Sequence, residues 1–146
     1  MSESRKVFFV YEDTDGDLAQ ESLWAKPVVD GYEIENIPFF AKNIAFGDVI
    51  EVEEENGVLY FNGMVRESGW STLHVAVLKK ELASDVIKML ESAGLDWEGY
   101  GKDNLYLAVG IPPHLKYSEV TGLIDRSEAQ GIIDYGESCI SRHHRT

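Results

Sequence analysis

The feature that most constrains this chain is Asn56-Gly57, set between two alternating runs, Val49-Ile50-Glu51-Val52-Glu53-Glu54-Glu55 and Val58-Leu59-Tyr60-Phe61. Both central residues of a type I′ turn take φ > 0, which Asn and Gly tolerate best, so the dipeptide predicts a two-residue β-hairpin. Such a turn also dictates register. Glu55 faces Val58, Glu54 faces Leu59, Glu53 faces Tyr60 and Val52 faces Phe61. Ile50, Val52, Leu59 and Phe61 then share an apolar face, while Glu51, Glu53 and Tyr60 share the opposite, acidic one.

The rest of the N-terminal half has the same character. Val7–Tyr11 is a β-branched and aromatic run that reads as a buried strand. Glu21–Val29 is a second strand, turned by Asp30-Gly31 into Tyr32–Asn36. Pro38 lacks an amide donor and marks a strand end or edge, and the adjacent Phe39 and Phe40 are expected in the core. No helical period occurs before residue 67. Four or five short strands with tight turns predict a small barrel or a coiled sheet.

The polar, Gly-containing joint Arg66–Thr72 separates this half from a stretch of different pattern. Leu73–Leu78 alternates, with Leu73, Val75 and Val77 on one face and His74 and Ala76 on the other. Lys80–Ala93 carries Leu82, Val86 and Leu90 at helical spacing and stops at Gly94. Leu95–Tyr100 and Leu105–Ile111 read as strands. Tyr117–Gln130 reads as a second helix ending at Gly131, and Ile132–Gly136 as a last strand. Strand, helix, strand, strand, helix, strand is the ferredoxin-like split βαβ order. The fold class expected is therefore α+β, with a β-rich half at 1–66 and a ferredoxin-like half at 67–146, packed as one unit.

Charge is the strongest compositional signal. The 146 residues hold 26 Asp plus Glu against 13 Lys plus Arg, a net charge of -13, and residues 1–66 carry 14 of the acids but only 5 of the bases. A nucleic acid would be repelled and meets no basic stripe, so none is expected as partner. Solubility is the plain explanation of such acidity; attraction of a basic protein is the sharper one. No apolar run approaches the roughly 20 residues of a membrane span. The start Met1–Val7 passes straight from polar residues into a strand without a secretory apolar region, and Cys139 is the single cysteine. Both features point to the cytoplasm, with no membrane partner.

The residues that could carry catalysis or hold a metal lack the spacing those chemistries need. Asp13, Asp15 and Asp17 have the spacing of a calcium loop, but counting Asp13 as position 1 puts Gly16 at 4 and Trp24 at 12, where the loop needs Gly at 6 and Glu at 12. No metal and no cofactor are expected. Ser68, Ser71 and His74 lie close in sequence, yet a nucleophile elbow needs a glycine two residues to either side of its Ser, whereas Ser71 has Gly69 before it but Leu73 after it and leads into a strand. Hydroxyls in such a joint usually satisfy backbone groups. His143-His144 sits among arginines in a tail expected to fray, and Cys139 has no base nearby. An enzyme is not expected.

One family pattern runs through these residues. Glu21-Ser22-Leu23-Trp24-Ala25, Asp30-Gly31-Tyr32, Asn36-Ile37-Pro38-Phe39-Phe40, Gly47-Asp48-Val49 and Ser68-Gly69-Trp70-Ser71-Thr72 resemble the bacterial family called domain of unknown function 4265. The likeness continues through Gly94, Glu98, Ala108-Val109, Pro112 and Gly131; Trp70 departs from it, standing where the family often has a smaller polar residue or His. Similar small acidic bacterial proteins serve as immunity proteins beside toxins. With the charge and the missing catalytic motifs, the resemblance implies an immunity protein that neutralises a cognate, basic, nuclease-like protein toxin. Its candidate contacts are Asp13, Asp15, Asp17, Glu51, Glu53, Glu55 and Tyr60. The alternative is a small-ligand-binding or regulatory domain with a cleft between the halves, for which Ser68, Trp70, Ser71 and His74 are the candidate pocket residues.

Overall fold

The structure, a computed structural model, describes residues 3–145. Met1, Ser2 and Thr146, which belong to the expected polar start and frayed tail, lie outside the described residues. Five strands form a closed barrel: β1 (Arg5–Glu12), β2 (Leu18–Val28), β3 (Gly31–Ile34), β4 (Val49–Glu55) and β5 (Val58–Arg66). Neighbours pair antiparallel in chain order, and β5 returns beside β1 in parallel, with Val7 opposite Leu59 and Phe8 opposite Tyr60.

The hairpin has the register its turn requires. Val52, Glu53, Glu54 and Glu55 face Phe61, Tyr60, Leu59 and Val58, and Asn56 and Gly57 have φ of 51° and 81°. Arg5 fastens the tip to the start of β1, reaching Glu54 and the Gly57 carbonyl at 3.1 Å each. Beyond the tip the register shifts between Val49 and Val52. A bulge of this kind bends a strand more sharply, which small barrels need at their corners. Ile50 and Leu59 enter the barrel core with Val7, Phe9, Leu23, Ala25 and Ile34. Phe61, expected on that face, stacks on Phe9 at 4.9 Å between ring centres but keeps one side in water.

The second half is a four-stranded antiparallel sheet with two helices. β6 (Ser71–Val77) is followed by α1 (Ala83–Ser92), β7 (Asp96–Tyr100), β8 (Tyr106–Ile111), α2 (Tyr117–Ala129) and β9 (Ile133–Cys139), and the spatial order is β7-β8-β6-β9. The α+β class holds in this coarse form: strands dominate, with two helices. One face of the sheet buries Leu73, Val75, Leu107, Val109 and Ile111 against Val86 and Leu90 of α1 and Val120 and Ile124 of α2. Helix α1 stops where Gly94, at φ 82°, lets the Leu95 amide fold back onto the Leu90 carbonyl. Among the described residues no helix is long and apolar enough to cross a membrane.

The opposite face of the sheet would be left bare if it faced water, because Thr72, Ala108 and Gly110 on it are fully or nearly fully buried. It is covered by the connection from β3 to β4, residues 35–48, which leaves the barrel, crosses the sheet and returns. Ile37, Ile44 and Ala45 are buried along this strap. Phe39 and Phe40, expected in the core, are only half-buried at its outer edge. The expected fraying of the tail is also corrected. His144 is buried, with its Nδ1 2.5 Å from Ser71 Oγ and its Nε2 3.1 Å from the Pro112 carbonyl.

Candidate functional site

The strap is held by acceptors from both halves. Glu21, on the inward side of β2, takes hydrogen bonds from three successive strap amides: Phe39 at 2.7 Å, Phe40 at 3.0 Å and Ala41 at 2.9 Å. Glu98, on β7, accepts the Ile37 amide at 2.7 Å. Between them His74, on β6, meets the Pro38 carbonyl at 3.0 Å through Nε2. A carbonyl only accepts, so Nε2 carries the ring proton there.

Proline explains the local shape. Pro38 has no amide to satisfy, and its ring keeps Ile37 extended, which presents the following amides to one carboxylate. Farther along the strap, Asp48 is buried and binds the Ala45 and Ser68 amides at 2.9 and 2.8 Å. Burial raises its pKa, with the two amides opposing the shift.

Where the strap's outer edge meets the end of the β1–β2 ribbon, a cleft of about 570 Å³ opens. Its walls are Tyr11, Phe39, Phe40, His74 and Tyr106. Tyr11 stacks on Phe40 at 5.5 Å, Phe40 on Tyr106 at 6.3 Å, and His74 lies 5.7 Å from Tyr106. Desolvation dominates the electrostatics: it lowers the pKa of His74 and raises those of Glu98 and Tyr106. The Glu21 charge acts on all three, opposing the shift at His74 and adding to it at Glu98 and Tyr106.

Of the four pocket residues expected at the joint, His74 alone lines this cleft. Ser68 donates to the Phe46 carbonyl at 2.6 Å, and Trp70 packs edge-on to Phe46 at 4.8 Å. Ser71 is fully buried against His144 and also accepts the Ser141 amide at 2.9 Å. Ser71 and His74 therefore engage different partners. Cys139 is half-buried, and desolvation first, then Asp48 and Glu67, pushes its thiol up to about 11, so it is uncharged at neutral pH. Among the described residues no three His, Cys, Asp or Glu side chains are grouped to hold a metal ion.

The acidic candidates lie on the outside of the barrel. Glu51, Glu53 and Glu55 are exposed along β4, and Tyr60 is half-buried beside them. Pairing continues the row across the barrel: Glu53 opposes Tyr60, Tyr60 neighbours Phe8 at 6.1 Å between ring centres, and Phe8 opposes Ser22. One step along, Lys6 opposes Trp24 and sits 5.4 Å from its ring. Val10, Leu18 and Trp24, exposed by 54%, 79% and 46%, alternate onto this same outward face.

Asp13, Asp15 and Asp17 occupy the turn at the far end of the β1–β2 ribbon. Asp13 Oδ1 accepts the Asp15 and Asp17 amides at 3.0 and 2.9 Å, so this carboxylate shapes its own turn. The candidates thus border one face from two sides, with aromatic and apolar groups between them. Sequence reasoning missed Glu21, Glu98, Tyr11 and Tyr106. Glu21 and Glu98 sit in otherwise ordinary strand sequence, and their strap partners are remote along the chain. An acid on the inward face of a strand was the available signal.

No curated protein matches this chain at a significant level. A crystal structure of a hypothetical protein from Neisseria gonorrhoeae superposes with a TM-score of 0.84 at 29% sequence identity, over 95% of this chain and 96% of that one. The model of one family, described as a domain of unknown function (DUF4265), matches residues 21–135, a span that starts at the strap's anchor Glu21 and takes in the whole strap; the chain belongs to that family.

Proposed function

We propose that this protein is an immunity protein that binds and neutralises a basic, nuclease-like protein toxin in the cytoplasm, through the outer face of the barrel. The observation that carries the proposal is the row Glu53–Tyr60–Phe8, with Trp24, Val10 and Leu18 exposed beside it and Glu51 and Glu55 along its border. Protein interfaces concentrate their affinity in a few partly buried aromatic anchors inside a polar rim. The acidic column and the net charge of -13 choose a basic partner, which they attract over distance. Exposed carboxylates by themselves add about 0–1 kcal/mol each, so the aromatic residues supply most of the affinity.

In the same proposal the second half is read as ferredoxin-like, and the barrel and sheet as two halves, 1–66 and 67–146, of one unit. Its support is the order β6-α1-β7-β8-α2-β9 with the sheet arranged β7-β8-β6-β9.

Co-expression with the protein encoded immediately upstream is the direct test. A toxic neighbour that is silenced and co-purified supports the proposal; a neighbour neither toxic nor bound removes it. Glu51→Lys with Glu53→Lys is expected to slow association about tenfold or more at low salt, with the loss shrinking as salt rises. Tyr60→Ala is expected to speed dissociation, by about thirtyfold for a hot spot of about 2 kcal/mol. Unchanged rates in both variants would place the interface elsewhere.

A further inference from the structure

The cleft beside the strap lies on the inward side of the β1–β2 ribbon, away from the barrel's outer face. Its floor is a row of half-buried rings, Tyr11, Phe40 and Tyr106, with 5.5 and 6.3 Å between successive centres. Tyr100, 57% exposed, stands 5.6 Å from Phe39 and 5.7 Å from Phe40 and carries the aromatic surface beyond the cleft itself. The free polar side chains of the lining are mostly donors. The Tyr11, Thr14 and Tyr106 hydroxyls and the Lys42 ammonium have no hydrogen-bond or ion-pair partner among the described residues, and the buried Oγ of Ser138 is equally unpaired. Desolvation raises the pKa of Tyr11 and Tyr106, so both phenols keep their protons at neutral pH.

We propose that this cleft binds a proline-rich segment of a partner protein, held as a polyproline II helix with a basic residue beside the β1–β2 turn. Such a helix has no internal hydrogen bonds and its prolines lack amides, so its backbone presents carbonyl acceptors and leaves few donors unpaired. That is the complement of a lining rich in hydroxyls. An ordinary extended peptide brings an amide at every residue, each needing an acceptor of its own. Proline rings pack flat on aromatic ridges, and the preformed helix loses little freedom on binding. One turn of three residues rises about 9 Å, a scale that suits an open row of rings. Charge sets the direction. Asp13, Asp15 and Asp17 occupy the turn next to Tyr11 with no base among them, and a basic flank is drawn to that end. Lys42, the one Lys or Arg in the lining, is left to donate to a peptide carbonyl.

The probe is a capped oligoproline of about eight residues, roughly 25 Å long, with arginine at both ends so that either chain direction is served. Two controls keep its length: one replaces the prolines with glycine and serine, the other replaces the arginines with glutamate. Each peptide is titrated into the full chain at pH 7.5 and low salt, by calorimetry and by NMR shifts of the aromatic side chains. The arginine oligoproline is expected to bind at least about tenfold tighter than the glycine–serine peptide. It should exceed the glutamate oligoproline at least about threefold, with that margin closing as salt rises. Tyr11→Phe with Tyr106→Phe is expected to weaken it at least about fivefold. Neither hydroxyl has a partner within the protein, so this variant removes two donors with the rings and the fold intact. The test needs no toxin, so its outcome is separate from that of the proposal for the outer face. No oligoproline binding up to about 10 mM, equal affinity for the probe and either control at low salt, or unchanged affinity in the double variant each overturns the proposal.

Discussion

Removal of the Glu21 carboxylate is the sharpest perturbation of the architecture. In Glu21→Ala three consecutive strap amides lose their acceptor together, and the strap holds the barrel and the sheet to one another. A hydrogen bond to a charged group contributes about 1.5–3 kcal/mol, and each amide left without a partner costs about 1–3 kcal/mol. Glu21 is only half-buried, so water reaches some of the site and the lower end of the range applies. The expected loss is about 3–4 kcal/mol, a large share of the roughly 5–15 kcal/mol that holds a domain together. Urea unfolding at pH 7.5 should show the midpoint falling at constant slope, with the melting temperature about 10 °C lower.

Glu21→Gln refines the test. Its oxygen can still serve Phe40 and Ala41, which share Oε1, but its amide group then confronts the Phe39 amide. About half the full loss is expected. As a control, Glu33→Ala breaks only the surface pair with Lys26 at 3.4 Å and should cost less than about 1 kcal/mol. A Glu21→Ala protein within about 1 kcal/mol of wild type would refute the role assigned to the strap's anchor.

Two further predictions follow from buried groups and close approaches. Burial lowers the pKa of His74 and of His144 below the ordinary 6.5, so the unfolded chain takes up protons before the folded one; their contribution is full above pH 6.5 and is lost as pH falls from there toward the folded-state values. Each site adds at most about 1.4 kcal/mol per pH unit, and His74→Gln should narrow the difference in unfolding free energy between pH 7.5 and 5.5. Asp48 and Glu98, with raised pKa values, act in the opposite sense at lower pH, and subtracting the variant from wild type cancels them. An identical pH dependence in the two proteins contradicts the assignment. At Gly31 a Cβ would stand 2.4 Å from the Ile50 carbonyl oxygen across the β3–β4 pair, so Gly31→Ala must push these barrel strands apart and should cost about 1–3 kcal/mol, read as a lower urea midpoint.

The hairpin was legible because its information is local: Asn56-Gly57 sets both turn and register, and four cross-strand pairs followed from it. The helices were legible for the same reason. Apolar spacing and a terminal glycine placed them over Lys80–Ala93 and Tyr117–Gln130, against Ala83–Ser92 after a single tight turn at Lys80–Leu82 and Tyr117–Ala129 in the structure. The strap was not legible. Ile37 is tied to Glu98 across 61 residues and Pro38 to His74 across 36, and no local period records such a bond.

The tail failed in the same way. Arg142 to Arg145 reads as a charged end, yet His144 has a buried partner 73 residues earlier. Phe39 and Phe40 were assigned to the core on composition alone. They are half-buried because the three amides given to Glu21 hold their backbone at the rim, where the rings line the cleft.

The strap also sets an order of events on the ribosome. The β4–β5 hairpin can close as soon as it emerges, but Phe39 and Phe40 are made long before the surface they rest on. Tyr106 and the Glu98 that binds Ile37 are both synthesised about 60 residues later, some 3–12 seconds at ordinary rates of elongation. During that interval an apolar connection hangs from a young barrel with no sheet to cover it. The acids that dominate residues 1–66 lie on the same growing segment, where mutual repulsion keeps unfinished chains apart.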